Sequence, residues 1–230
     1  MAKETANARA WYGADSGLWV TLPGQPVPPL PGPMYEENTF SPPGEGWYEL
    51  GWLSEDGPTQ GRSRTVERFR AWQGHTLVRT AVTEDDHTFQ VQALEDNWVV
   101  QQLRYPSSPM TTAAGLTTTV VTPQRGEDVR SGVLDLSDGD TWKRIFVPRL
   151  VVDEMGDTSF TAGELTMYEL TLLARPHVMT VGDYTGPVTL IEVTNAAGMV
   201  QPTGGEGPEA MVLAKASATR RPTADRPTVA

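Results

Sequence analysis

The chain has 230 residues, 38% of them hydrophobic and 20% charged, and a formal net charge of −11. An excess of carboxylates excludes a general nucleic-acid binder, because phosphate contacts need Lys and Arg in surplus. The absence of cysteine excludes disulfide stapling and thiolate chemistry and leaves a zinc site only His and carboxylates.

The length allows one large β domain or a domain with extensions, and the high counts of Gly 22 and Pro 19 point to many turns and irregular arms rather than long helices. No apolar run approaches the ~20 residues of a membrane helix. The opening Met-Ala-Lys-Glu-Thr-Ala-Asn lacks a signal peptide's apolar stretch, so folding in a cytoplasm is expected.

In chain order, residues 1–46 read as an arm. It holds a short strand candidate at 17–22 and then six prolines within 23–33, an extended stretch for which a stiff spacer is a commoner reading than an SH3-type ligand. Residues 47–53 are aromatic and apolar enough for a strand, which Ser54-Glu55-Asp56-Gly57-Pro58 stops. After a polar loop, Arg62, Arg64, Val66, Arg68 and Arg70 recur at period two, predicting a strand with one basic face. Segments 76–82 and 88–94 flank 83–87, a predicted hairpin turn. In the second segment Phe89, Val91 and Ala93 share one face and Thr88, Gln90 and Gln92 the other, so one face wants a core and the other water or a polar partner. Asp96 is the expected cap of a short helix at about 96–105, with Val99 and Leu103 four apart and Pro106 ending it.

Residues 107–115 read as a small-residue loop, followed by β-rich segments at 116–122 and 129–136. A turn at 137–140 leads into a strand at 141–147, and further strands are expected at 149–154, 164–175 and 188–194. From about 196, Gly, Pro, Thr and Ala dominate, predicting a flexible extension. The fold expected is mainly β, a sandwich or barrel at 47–195 with one flanking helix, between extended arms at 1–46 and 196–230. No period of 20–50 residues repeats, which excludes a solenoid or propeller.

Local chemistry is thin. The Glu84-Asp85-Asp86-His87 cluster has a metal-site composition, but neighbouring side chains at a turn diverge and water screens them. Asp135 to Asp140 resembles a calcium loop only faintly, with its glycine one position early and no Glu at the twelfth. None of the three histidines has another at i+4, and neither a nucleophile elbow nor a phosphate-binding glycine loop is present. Neither catalysis nor a cofactor is expected. Trp47, Trp52, Trp72, Trp98 and Trp142 invite a sugar-stacking platform, but they lie in different elements, and packing in a core or subunit interface is the commoner use.

The order Leu50-Gly51-Trp52-Leu53-Ser54-Glu55-Asp56-Gly57, then Ala71-Trp72-Gln73-Gly74, Val78-Arg79-Thr80, Thr88-Phe89-Gln90 and Leu94-Glu95-Asp96-Asn97, resembles the major tail tube proteins of long-tailed bacteriophages, those infecting actinobacteria in particular. Trp19-Val20-Thr21-Leu22-Pro23-Gly24 is similar to their opening strand. The resemblance implies a β-sandwich subunit in sixfold rings that stack into a hollow tube, the conduit for genome delivery. Implied partners are copies of the chain, a tape-measure protein, a tail terminator and distal tail proteins, with DNA only in passage. Loop 54–67 and the two arms are the expected ring-to-ring connectors. Glu55, Asp56, Arg62, Arg64, Arg68 and Arg70 are candidate intersubunit contacts, the arginines meeting acidic groups at 55–56 or 84–86 of a neighbour. Thr88, Gln90 and Gln92 are candidates to line the lumen. Two other readings stay open: a monomeric β-sandwich module that binds carbohydrate through its tryptophans, and another virion protein such as a tail terminator.

Overall fold

Alternating apolar residues produce the buried strands of the main sheet. In order, the elements are β1 (Gly17–Thr21), β2 (Tyr35–Glu36), β3 (Thr39–Phe40), β4 (Trp47–Glu49), β5 (Thr59–Arg70), β6 (Leu77–Ala93), α1 (Trp98–Arg104), β7 (Met110–Ala113) and β8 (Leu116–Thr119). There follow β9 (Val129–Asp138), β10 (Thr141–Met155), β11 (Tyr168–Arg175), β12 (His177–Val181), β13 (Tyr184–Val188) and β14 (Ile191–Thr194). This computed structural model describes residues 8–13, 15–31, 35–36, 39–106, 108–123 and 127–196. All but Ala196 belong to one compact unit, Met1–Asn195. The expected C-terminal extension and parts of the N-terminal arm lie outside the described residues.

Eight strands form one antiparallel sheet in the order β4-β1-β9-β10-β11-β6-β5, with β14 also paired to β10. The hairpins β2–β3, β7–β8 and β12–β13 stand apart as two-stranded ribbons. The architecture is the mainly β sandwich type expected, with a single helix among the described residues. The core takes Phe89, Val91 and Ala93 from β6, Tyr168, Leu170, Leu172 and Ala174 from β11, and Leu18 and Val20 from β1. Val99, Val100 and Leu103 of α1 close it. Each Val, Leu or Phe among them contributes roughly 1.5–3 kcal/mol by leaving water. A second cluster buries Trp47, Val133 and Phe146, against which Val27 and Leu30 of the proline-rich segment pack.

Several expectations need correction. Residues 83–87 form no turn: β6 runs unbroken through them, and the hairpin turns at 71–76 instead. Strand β5 begins at Thr59, so there is no polar loop reaching 67. Segments 141–147 and 149–154 are one strand, β10, whose ladder with β9 shifts between Val147 and Leu150. Pro148 sits at that shift; it has no N–H for a ladder, so the strand bulges rather than ends. Its carbonyl is held by the Ser131 hydroxyl, which donates at 2.8 Å. The bulge divides β10 into a half paired with β14 and a half paired with β11. Within 107–115 the chain forms β7, and the 164–175 strand starts at Tyr168. The 188–194 segment meets two strands, β13 and β14, and β12 precedes them where no strand was expected.

Asn97 rather than Asp96 caps α1. Its Oδ1 accepts from Val100 N at 3.0 Å while its Nδ2 donates to Leu50 O at 2.8 Å, so one amide starts the helix and ties it to the chain after β4. Asp96 accepts instead from the Gln101 side chain.

Candidate assembly interface

The β5–β6 hairpin is a long ribbon whose residues are mostly exposed. The last seven residues of β6, from His87 to Ala93, pair with β11, those up to Gln90 with β5 as well, but from Leu77 to Asp86 the strand pairs with β5 alone. Beyond the sheet body the ribbon is exposed on both faces; in β5 only Gly61 and Val66 are half-buried. Strand β5 ends the sheet, and its outer edge has no strand partner among the described residues. The turn is held by Ala71 N donating to Thr76 O at 2.8 Å and by Arg70 Nη1 donating to His75 O at 3.0 Å. Trp72 stands at the tip, 90% exposed, and Phe69, Leu77, Val78 and Val82 are exposed beside it.

A two-stranded ribbon is marginal in water by itself. Polar pairs across the strands stiffen this one. Arg62 donates through Nε and Nη2 to Asp85 Oδ1 and Oδ2, both at 2.7 Å, and the Thr65 hydroxyl donates to Glu84 at 3.0 Å. Arg64 lies directly opposite Asp85 in the ladder and Arg62 lies diagonal to it. The Arg62 hydrogen bonds hold the Asp85 carboxyl below the ordinary aspartate value. The acidic group that meets the basic strand at Arg62 therefore belongs to the same chain.

The other expected contact residues separate into two ends. Glu55 and Asp56 are exposed in the turn at the hairpin's base, where Ser54 N donates to Gln92 O at 2.9 Å and Leu53 bridges Ala93. Arg68 and Arg70 lie at the tip, which the twelve-residue β5 carries roughly 40 Å away. Thr88, Gln90 and Gln92 share a sheet face with Thr59 and Gly61 of β5 and Glu169 and Thr171 of β11, opposite the core face. Glu169 is the one charged side chain among these residues. The five tryptophans do not form one platform: Trp47 is buried edge-on against Phe146, Trp98 packs on Tyr48, Trp142 lies in β10 opposite Ser137, and Trp52 and Trp72 occupy opposite ends of the hairpin.

Sequence reasoning missed a cleft of about 720 Å³ at the base of the hairpin, between the segment around Tyr12 and the segment 49–57. Trp52 and Tyr12, 72% and 77% exposed, stand on its walls with Glu49, Glu55 and Glu95. Glu95 Oε1 accepts from Trp52 N at 2.9 Å. Burial, and then the charge of Glu95, raise Glu49 above the ordinary glutamate value. Gly51 has φ +86° and a Cβ there would sit 2.4 Å from the Glu95 carboxylate, so only glycine allows this approach. Nothing local in the sequence signals the cleft, because it joins segments some 40 and 80 residues apart.

The sequence pattern of a family described as "Phage tail tube protein" matches residues 18–181, from β1 into β12. The chain belongs to the phage tail tube proteins. No curated protein matches it. The matched region of this tail tube protein contains the whole β5–β6 hairpin and every strand of the main sheet except β14. It is accordingly a structural protein of the virion tail, one that assembles with itself and with other tail proteins. Among the described residues no helix is long and apolar enough to cross a membrane.

Proposed function

We propose that copies of this chain polymerise as stacked hexameric rings into the tail tube through which the genome reaches the host. The observation that carries the reading is the β5–β6 hairpin, an open-edged ribbon exposed on both faces with Phe69, Trp72, Val78 and Val82 in solvent. A lone subunit gains little from such a ribbon, whereas a neighbouring copy buries its apolar residues and completes its edge. Closed into a ring, adjacent sheets form a barrel in which no edge is left open. The face of Thr88, Gln90 and Gln92 then lines the lumen, where neutral side chains let DNA pass without being held. Arg64, Arg68 and Arg70 of the ribbon and Glu55 and Asp56 at its base act in intersubunit contacts, and Arg62 contributes through its pair with Asp85. A tape-measure protein sets the length, a terminator and distal tail proteins close the ends, and assembly takes place in the host cytoplasm. No catalytic step and no cofactor enters.

Negative-stain electron microscopy of the concentrated full chain tests this. Hollow tubes or rings of sixfold symmetry are expected. Monodisperse subunits whose tryptophan fluorescence is quenched by a glycan would replace the reading with that of a carbohydrate-binding module.

A further inference from the structure

We propose that the cleft at the base of the hairpin is the socket for the β5–β6 tip of a second copy, an inference that rests on the tube reading above. The two surfaces are complementary in charge and shape. The socket has an acidic lining, Glu49, Glu55 and Glu95, with Tyr12 and Trp52 as exposed aromatic walls. The tip carries Arg68, Arg70 and Arg79 against the single acid Glu67, and projects Trp72. A guanidinium fork both pairs with carboxylates and stacks on aromatic rings, so arginine is the side chain that such a socket accepts best. In a chain of net charge −11, most surfaces of two copies repel each other, and bringing the basic tip to the acidic cleft turns that repulsion into register.

The geometry excludes the chain's own tip as occupant. The bridge from Leu53 to Ala93 and the bond from Ser54 N to Gln92 O fix the socket beside the C-terminal end of β6. The tip lies beyond the other end, Leu77, and seventeen residues of extended strand separate the two by roughly 50 Å. The ladder with β5 runs from Leu77 to Gln90 with two register shifts, and the one with β11 from His87 to Ala93, so strand pairing spans the whole of β6 and leaves no unpaired segment on which to fold back. Tip and socket are thus different surfaces at opposite ends of one ribbon, and their contact is heterologous. Repeated from copy to copy such a contact closes into a ring where the rotation per copy closes and elongates where it does not, so a contact between rings extends the stack.

The socket's charge also bears on assembly. Glu49 is raised above its ordinary value by burial and by Glu95, and an incoming arginine lowers it again by supplying the missing countercharge.

Two experiments on the full chain test the proposal together. With p-benzoylphenylalanine at position 72, irradiation of assembling protein is expected to give intermolecular cross-links to peptides containing residues 11–16 or 49–57. The single reversals Arg68→Glu and Glu49→Lys are each expected to raise the concentration needed for elongation about tenfold, and the double reversal to restore it to within about threefold. Both residues are exposed, so the variants fold. Tubes that form normally in both single variants, with position 72 cross-linking only elsewhere, would overturn the socket and leave the tube reading standing. Protein that neither elongates nor cross-links between copies at any concentration would overturn both.

Discussion

Asp135 of β9 and Arg144 of β10 face each other across the ladder in a bidentate pair, with bonds of 2.6 and 2.8 Å, and are 1% and 0% exposed. Arg144 Nη2 also donates to Ser41 O at 2.8 Å, so the same guanidinium anchors the segment between β3 and β4. Burial raises Asp135 above the ordinary aspartate value, against the pull of Arg144. Replacing a buried pair by well-packed apolar groups is often neutral, whereas removing one member strands a charge. Asp135→Asn is therefore expected to cost about 3–5 kcal/mol in urea unfolding, and the double variant Asp135→Leu/Arg144→Met clearly less.

Asn97 is expected to be the most sensitive residue of the helix. Asn97→Ala removes both the cap to Val100 N and the tie to Leu50 O, and should lower stability by about 1–3 kcal/mol. Asn97→Asp keeps the cap but not the donor, so thermal melts should place it between the alanine variant and the natural chain.

The raised Glu49 predicts a pH dependence of definite sign. A carboxyl raised in the folded state binds its proton more tightly there, so its contribution is present at acid pH and is lost as pH rises through its folded value. Melting temperatures of Glu49→Gln and the natural chain should coincide at acid pH. The variant should become the more stable of the two as pH rises above the ordinary glutamate range. A constant difference at all pH values would contradict the raised carboxyl that burial and Glu95 together produce.

Asp85 has the opposite sign. Its carboxyl is lowered by the Arg62 hydrogen bonds, so its contribution is present above the ordinary aspartate range and disappears as pH falls through its lower folded value. Protection of the Leu77 to Asp86 amides, taken relative to the unstructured exchange rate at each pH, should fall selectively in acid, and Asp85→Asn should show that loss of protection already at neutral pH. The group is fully exposed, so the effect concerns local opening of the ribbon rather than global stability.

A core residue and a tip residue should separate folding from assembly. Leu170 is fully buried, and Leu170→Ala should cost about 2–5 kcal/mol in unfolding. Trp72→Ala removes a side chain that is 90% exposed in the subunit, so unfolding should scarcely change while tube growth, followed by light scattering, falls sharply.

The alternation of Phe89, Val91 and Ala93 against Thr88, Gln90 and Gln92 was legible by itself, because period two assigns alternate side chains to opposite faces. It became buried and solvated faces as read. The turn at Gly139, the helix around Val99 and Leu103, and the order of motifs from Leu50 to Asn97 were legible for the same reason: each is local chemistry written in consecutive residues. Three features were not. The charged run 83–87 looks like a turn on composition, yet it continues β6, because Arg62 and Thr65 on β5 supply cross-strand partners that make an extended conformation favourable. Pro148 looks like a strand end, yet β9 on one side lets β10 bulge past it. The acidic cleft unites Tyr12, Glu49 and Glu95, which have no relation along the chain. The sequence alone thus determined the β class, the faces of its strands and the family. Only the tertiary structure decided how far the hairpin projects, which charges pair within the chain and which are left facing outward, because those depend on strand register, and register is settled between distant segments.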